Sequence, residues 1–266
     1  MNLNLFVRGK TMISKKKFFF TLTLVILVLY GTTKTIKWYK KYSNNMEVIN
    51  MIKNPNPQNT IIAFDLHGVL LERDDCTILK RSIKELSWNR IKLLFTTALA
   101  WDMLKLKLTK ANSAEQWINE LAIKYPALNL DTEKIIDITN EQYPKQETVD
   151  VLEILKSRGY KLFVFSNIGE NSFKGIEKKF PKIFKNFDGE YVCKAEDDYI
   201  SKPNPKAYEN FLKTINNKYT REFKYVIFVD DRWDNIKTAK RFEQIKPIGF
   251  LSAEQLEEDL TKTGVL

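Results

Sequence analysis

IIAFDLHGVL, residues 61–70, decides how the rest of the chain is read. Four mostly apolar residues, two of them β-branched, run into Asp65, and Gly68 follows the only histidine of the chain, His67. A short buried strand that ends in a carboxylate and passes into a tight turn puts Asp65 at the strand's carboxyl end.

Working outward, the chain alternates between strand-like and helix-like pieces. NTIIAF (59–64) reads as a strand, and a long helical stretch follows from Cys76 to about Tyr143, broken at Asn89, Asn112 and Tyr125-Pro126. VDVLEILKSRG (149–159) has apolar residues at 151, 152, 154 and 155 and ends at Gly159, a helix with its stop signal. YKLFVFSN (160–167) and KYVIFVDD (224–231) read as buried strands, and PIGFL (247–251) as a short one. NPKAYENFLKTI, DNIKTAKRF and SAEQLEEDL read as helices, the last opened by Ser252 as N-cap. Short apolar strands alternating with helices imply an α/β, Rossmann-like parallel sheet with helices on both faces. The helical residues after Asp65 interrupt the alternation and read as an inserted α-helical cap, residues 76–146, within a core of 60–75 and 147–266.

In such a sheet ligands bind beyond the carboxyl ends of the strands. Asp65, Ser166-Asn167 and Asp230-Asp231 stand at three predicted strand ends, and Lys202 lies in SKPNP between two prolines. Singly, each has a plain structural account: a carboxylate capping a helix, turn residues, a solvated lysine. Together, on one rim, they suit a divalent cation and an anionic substrate.

Charge is unevenly spread. Of 43 basic and 33 acidic residues, ten and one fall in 1–53, which leaves 33 and 32 for the remainder. The globular part is thus nearly neutral, and no nucleic-acid partner is expected. Cys76 and Cys193 form no CxxC and have no neighbouring His, so neither a thiolate metal cluster nor a disulfide framework is expected. After a basic N-terminus, residues 1–17, sixteen uncharged residues, Phe18 to Thr33, lie between Lys17 and Lys34. They make roughly 24 Å of helix, which snorkelling lysines and Trp38 and Tyr39 can extend to a bilayer core. No A-x-A-like cleavage site follows, so residues 18–36 read as an uncleaved single-pass membrane anchor, its orientation undetermined by the lysine balance, with a cleaved signal peptide as the alternative reading. Residues 42–59, with SNN and NPNPQN, read as a polar linker.

At the rim residues the chain resembles the haloacid dehalogenase-like superfamily of aspartate-nucleophile hydrolases, from Ile61 to the end. FDLHGVL is similar to its first motif, FVFSN to the second, SKPNPKAY to the lysine motif and IFVDDRWDNIKTAKRF to the double-aspartate motif. The resemblance implies a phosphatase in which Asp65 attacks phosphorus and forms an aspartyl phosphate. Mg²⁺ would be held by Asp65, the backbone carbonyl of His67, Asp231 and nearby Asp230. Ser166 would bind a phosphoryl oxygen, with Leu66, Gly68 and Asn167 also against the substrate, and Lys202 would neutralise charge on Asp65 and the phosphoryl group. His67 departs from the pattern, which has a second Asp there. An imidazole in that place is expected to take over acid/base work. Two competing readings follow from the same departure: a catalytically weakened, membrane-tethered binding or scaffold module, or a non-phosphatase hydrolase of the same fold. The substrate class implied is a small phosphorylated compound or a phosphoprotein, chosen by the cap.

Overall fold

The computed structural model describes residues 43, 45–85, 114–126, 129–220 and 222–266. In chain order the first elements are β1 (Thr60–Phe64), β2 (Leu71–Arg73), α1 (Asp75–Glu85), α2 (Ala114–Lys124), α3 (Thr132–Thr139) and β3 (Gln142–Pro144). Then come α4 (Gln146–Ser157), β4 (Lys161–Gly169), α5 (Glu170–Lys179), α6 (Pro181–Phe184) and β5 (Gly189–Cys193). The last are α7 (Pro205–Lys218), β6 (Tyr225–Asp230), α8 (Trp233–Ala239), β7 (Ile245–Gly249) and α9 (Ala253–Thr263).

Five parallel strands form one sheet in the order β5-β4-β1-β6-β7. In β1, Ile62 is in register with Leu162 on one side and Ile227 on the other. Alternate residues serve opposite faces, as a two-residue period requires. Ile62 and Phe64 join Leu152, Leu155, Ile176 and Leu256 in one core cluster. Ile61 and Ala63 join Phe165, Tyr208, Phe211 and Phe228 in the other. Both faces of the sheet are therefore covered, which explains why β1 and β6 are apolar at nearly every position. The chain runs from β1 to β4 and β5 on one side, then returns to β6 and β7 on the other. The strand order reverses beside β1, where an open α/β sheet carries its ligand crevice.

The expected helix signals hold. Ser252 accepts from the Gln255 N–H at the start of α9, and Gly159 (φ +85°) follows α4. Three features differ from the sequence reading, and a fourth expectation falls outside the described residues. At the two ends of the expected long helical stretch, β2 and β3 pair antiparallel, Leu71 with Pro144 and Arg73 with Gln142, so a two-strand ribbon flanks α1, α2 and α3. The edge strand β5 and helices α5 and α6 have no counterpart in the sequence reading. Part of the expected polar linker is ordered: residues 45–51 are helical, and Val48, Ile49 and Ile52 are buried against the core. Its polar look misleads because Asn45 is fully paired. Its Oδ1 accepts the Gly249 N–H at 2.7 Å, and its Nδ2 donates to Gly249 O at 2.9 Å and Asp259 Oδ2 at 2.8 Å. Finally, among the described residues no helix is long and apolar enough to cross a membrane. The expected span, residues 18–36, lies outside them.

Asn45→Ala leaves the Gly249 amide and the Asp259 carboxylate short of buried partners. Chemical denaturation should show a loss of roughly 1–3 kcal/mol, the cost of stranding such groups. An unchanged midpoint would mean that the segment contributes nothing to the core.

Candidate active site

Asp65 lies one residue past β1 and keeps the ladder going, its N–H donating to Val229 O at 2.9 Å. The chain then coils tightly. Leu66 O accepts the N–H groups of Val69, Leu70 and Leu71 at 3.3, 2.9 and 2.8 Å, and the Gly68 N–H donates to Leu71 O at 2.8 Å. Gly68 is required twice over. Its φ is +79°, and a Cβ there would come within 2.8 Å of Asp231 Oδ2. The turn is held from outside by Lys145, whose Nζ donates to Gly68 O at 3.2 Å. The Leu66 N–H donates to Asp65 Oδ1 at 2.8 Å, which orients a carboxylate that is almost wholly buried.

Lys202 is 1% exposed. Its Nζ lies 2.8 Å from Asp230 Oδ2 and 3.4 Å from Asp65 Oδ1, and donates to Phe165 O at 2.5 Å. The rings of Phe165 and Phe228 each lie 4.8 Å from the ammonium. Burial works against the ammonium, but the Asp230 and Asp65 carboxylates outweigh it and hold its pKa above the ordinary lysine value. Asn167 clamps the lysine's main chain at both ends. Its Oδ1 accepts the Lys202 N–H at 2.8 Å, and its Nδ2 donates to Lys202 O at 2.6 Å.

Asp230, at the end of β6, is fully buried. Besides Lys202 it accepts the Arg232 N–H at 2.7 Å, and Asn235 Nδ2 reaches both its oxygens at 3.0 and 2.9 Å. Asp231 is half-buried above Gly68. Asp65, Asp230 and Asp231 each offer an oxygen within 4.8 Å of the others. Three carboxylates this close repel unless a cation is shared. The donor set, hard oxygens only, suits magnesium, and the space that a Gly68 Cβ would fill keeps Asp231 close to the turn. The residues present fit the ion.

Ser166 is buried in β4, just past Phe165 where the pairing with β5 breaks, and its hydroxyl has no hydrogen bond among the described residues. The partly buried His67 sits on the same turn as Asp65. Burial, with Arg73 and Lys202 nearby, lowers its pKa to about 4. The imidazole is therefore neutral at pH 7, the form able to accept a proton, and is a weaker base than an ordinary histidine.

A model of the haloacid dehalogenase-like hydrolases matches residues 60–243. The chain belongs to this family. Among solved structures, a haloacid dehalogenase family enzyme of Bacteroides thetaiotaomicron is similar at 18% identity, with a TM-score of 0.52 over 75% of this chain and 97% of that one. The same enzyme is known in complex with magnesium and inorganic phosphate, at 19% identity and a TM-score of 0.48 over 72% and 93%. The L-2-haloacid dehalogenase of Xanthobacter autotrophicus with chloropropionic acid covalently bound aligns at 16% identity and a TM-score of 0.46, over 78% and 84%. The first of these likenesses, at a TM-score of 0.52, shows the fold alone. No curated protein sequence matches the chain significantly.

The hydrolase fold brings Asp65, His67, Gly68, Ser166, Asn167, Lys202, Asp230 and Asp231 to one rim. It also recruits residues that sequence reasoning assigned no role. Asn235 braces Asp230, and its only signal is its place in the first turn of the helix after Asp230-Asp231. The Phe165 and Phe228 rings that enclose Lys202 read simply as strand core. Asn167, expected against substrate, commits its side-chain amide to Lys202.

With a single histidine, one imidazole resonance reports the site. It should titrate near pH 4 by NMR, not near 6.5. Because the folded pKa lies below the unfolded one, the stability this neutral group contributes is complete above pH 6.5. It is lost as pH falls towards 4. His67→Gln should flatten the fall in Tm across that window. A resonance titrating at 6.5 would show an imidazole open to solvent.

Proposed function

We propose that this hydrolase is a magnesium-dependent phosphatase in which Asp65 is the nucleophile. The observation that carries the reading is the buried Lys202 bridging Asp65 and Asp230 beside a third carboxylate, Asp231. Three carboxylates and one ammonium leave two formal negative charges, which a divalent cation balances. Asp65, Asp231 and Asp230, with the His67 carbonyl, would hold magnesium, which when bound lets an anionic carboxylate approach an anionic phosphate. A dehalogenase has no need of that ion, and a scaffold has no need of the full set.

In the first step Asp65 attacks phosphorus in line and the ester P–O bond breaks, giving an aspartyl phosphate, while the leaving oxygen departs as the anion and takes its proton from water. Leu66 N–H and Lys202 fix Oδ1 of Asp65, so the carboxylate is aimed before substrate arrives. The Ser166 hydroxyl is placed to donate to a phosphoryl oxygen, and Lys202 offsets the charge that accumulates on Asp65 and phosphorus. In the second step water attacks phosphorus, His67 accepts its proton, and Asp65 is released with inorganic phosphate. The substrate is a small phosphorylated compound or a phosphoprotein, chosen by the segment between β2 and β3.

Purified protein should hydrolyse an aryl phosphate with added magnesium, and lose that activity with EDTA or with Asp65→Asn. His67→Asn should lower turnover by about 10²-fold or more, the usual worth of a positioned base. Absence of magnesium-dependent hydrolysis across a broad panel of phosphates would overturn the reading. Activity on halo-acids instead would make the protein a dehalogenase.

The same reading places the enzyme on a membrane through residues 18–36, on the strength of sixteen uncharged residues flanked by lysines. Alkaline carbonate should leave the full chain in the membrane pellet and release a chain lacking residues 1–41. Release of both would remove the anchor from the proposal.

A further inference from the structure

The end of β4 carries Ser166 and Asn167 yet is poorly held by the sheet. Its pairing with β1 stops at Val164. Its register with β5 breaks after Phe165 and resumes only at Gly169 opposite Cys193. Ser166, Asn167 and Ile168 therefore have no strand partner in register on either side. The strand also runs directly into α5, with no loop between them.

What holds this junction comes from the segment inserted between β2 and β3. The N-cap of α5 is Gly169, which has no side chain to offer the first orphan amides. Glu115, in the first turn of α2, supplies the missing acceptor. Its buried Oε2 accepts the N–H groups of Asn171 at 3.0 Å and Ser172 at 3.3 Å, and its Oε1 accepts Asn171 Nδ2 at 2.7 Å. Asn171 and Ser172 are the second and third residues of α5, whose amides an N-cap side chain would normally take. Only glycine permits the arrangement, since a Cβ at 169 would come within 2.4 Å of Glu115 Oε2 and 2.7 Å of its Cβ. A carboxylate at a helix N-terminus is further favoured by the helix dipole.

From this cap, continuous contacts lead to the chemistry. Gly169 joins Asn167 through one residue, Asn167 clamps both the N–H and the carbonyl of Lys202, and Lys202 bridges Asp65 and Asp230.

We propose that Glu115 is a positioning residue: by capping α5 from the insertion it holds the Ser166–Asn167 end of β4 against Lys202. The phosphate-facing rim is then complete only while the insertion is docked. The kinetic part of this inference rests on the phosphatase reading; the structural part does not.

Three variants test it: Glu115→Gln, Glu115→Ala, and Glu115→Gly with Gly169→Ser, which removes the residue-115 Cβ that a side chain at 169 would meet and restores an ordinary cap to α5 from its own N-cap position. Amide exchange by NMR follows Asn171, Ser172 and Lys202, and turnover of an aryl phosphate follows the site. Glu115→Ala should raise exchange at all three amides by about ten-fold or more. It should lower kcat by about ten-fold with KM little changed, as a small misplacement of a catalytic group does. Glu115→Gln keeps an acceptor and should stay close to the parent. The double variant should regain Tm and protection at Asn171 and Ser172 while Lys202 exchange and kcat stay impaired. Should Glu115→Ala not fold, the double variant decides alone. Lys202 exchange and kcat at parental levels in the double variant would reduce Glu115 to a helix cap and overturn the inference. If the parent protein hydrolyses no phosphate, the phosphatase reading falls separately, and exchange at Lys202 still decides whether Glu115 positions the rim.

Discussion

A buried ammonium is costly, and the fold is arranged around one. Lys202 is removed from water at 1% exposure, a transfer that costs several kcal/mol before it is compensated. Compensation comes from three strands at once: Asp65 after β1, the Phe165 carbonyl of β4 and Asp230 of β6. These are the central strands of the sheet. A slip of one residue in any of them would turn its partner to the other face and leave the charge uncompensated. One cation thus fixes the relative register of the three strand ends that carry the site. It also ties a group that must be positioned for chemistry to the stability of the whole core, since removing one partner of such a pair typically costs about 3–5 kcal/mol.

Much of this is legible in the sequence because the site sits where buried runs stop. TIIAF-D, FVF-SN and VIFV-DD each change from apolar to polar towards the carboxyl end of the strand. A sheet covered by helices on both faces requires such unbroken runs, so the alternation and the rim residues can be read together. Where the sequence misleads, the usual cause is that polarity does not mean exposure. Asn45 and its neighbours look like a linker, yet the carboxamide satisfies both main-chain groups of Gly249, and Val48, Ile49 and Ile52 supply the burial. The β2–β3 ribbon is hidden for another reason: three-residue strands such as LER and QYP carry no usable period. Asn167 looks like a substrate ligand, since nothing in a dipeptide shows that its amide is spent on a loop 35 residues away.

Glu115 is the least legible of all. In AEQWINELAIK it is an ordinary acidic residue in the first turn of an amphipathic helix, where the dipole alone would account for it. Its meaning lies in a pairing with a glycine far along the chain: Gly169 lacks a cap, and Glu115 is a buried carboxylate whose acceptors are used outside its own helix. Each anomaly explains the other only in three dimensions. The same pairing bears on how an inserted segment can vary without disturbing the rim residues of the core. Its contact with this part of the core is made to backbone amides, the Asn171 carboxamide and close-packed glycines (Gly169, and Gly175 beneath Asn140), not to the catalytic side chains. The helices of the insertion can therefore change over most of their surface while Asp65, Lys202 and Asp230 keep their geometry. Glu115 is where that independence ends, because there the insertion replaces a hydrogen bond that the core's own sequence leaves unmade.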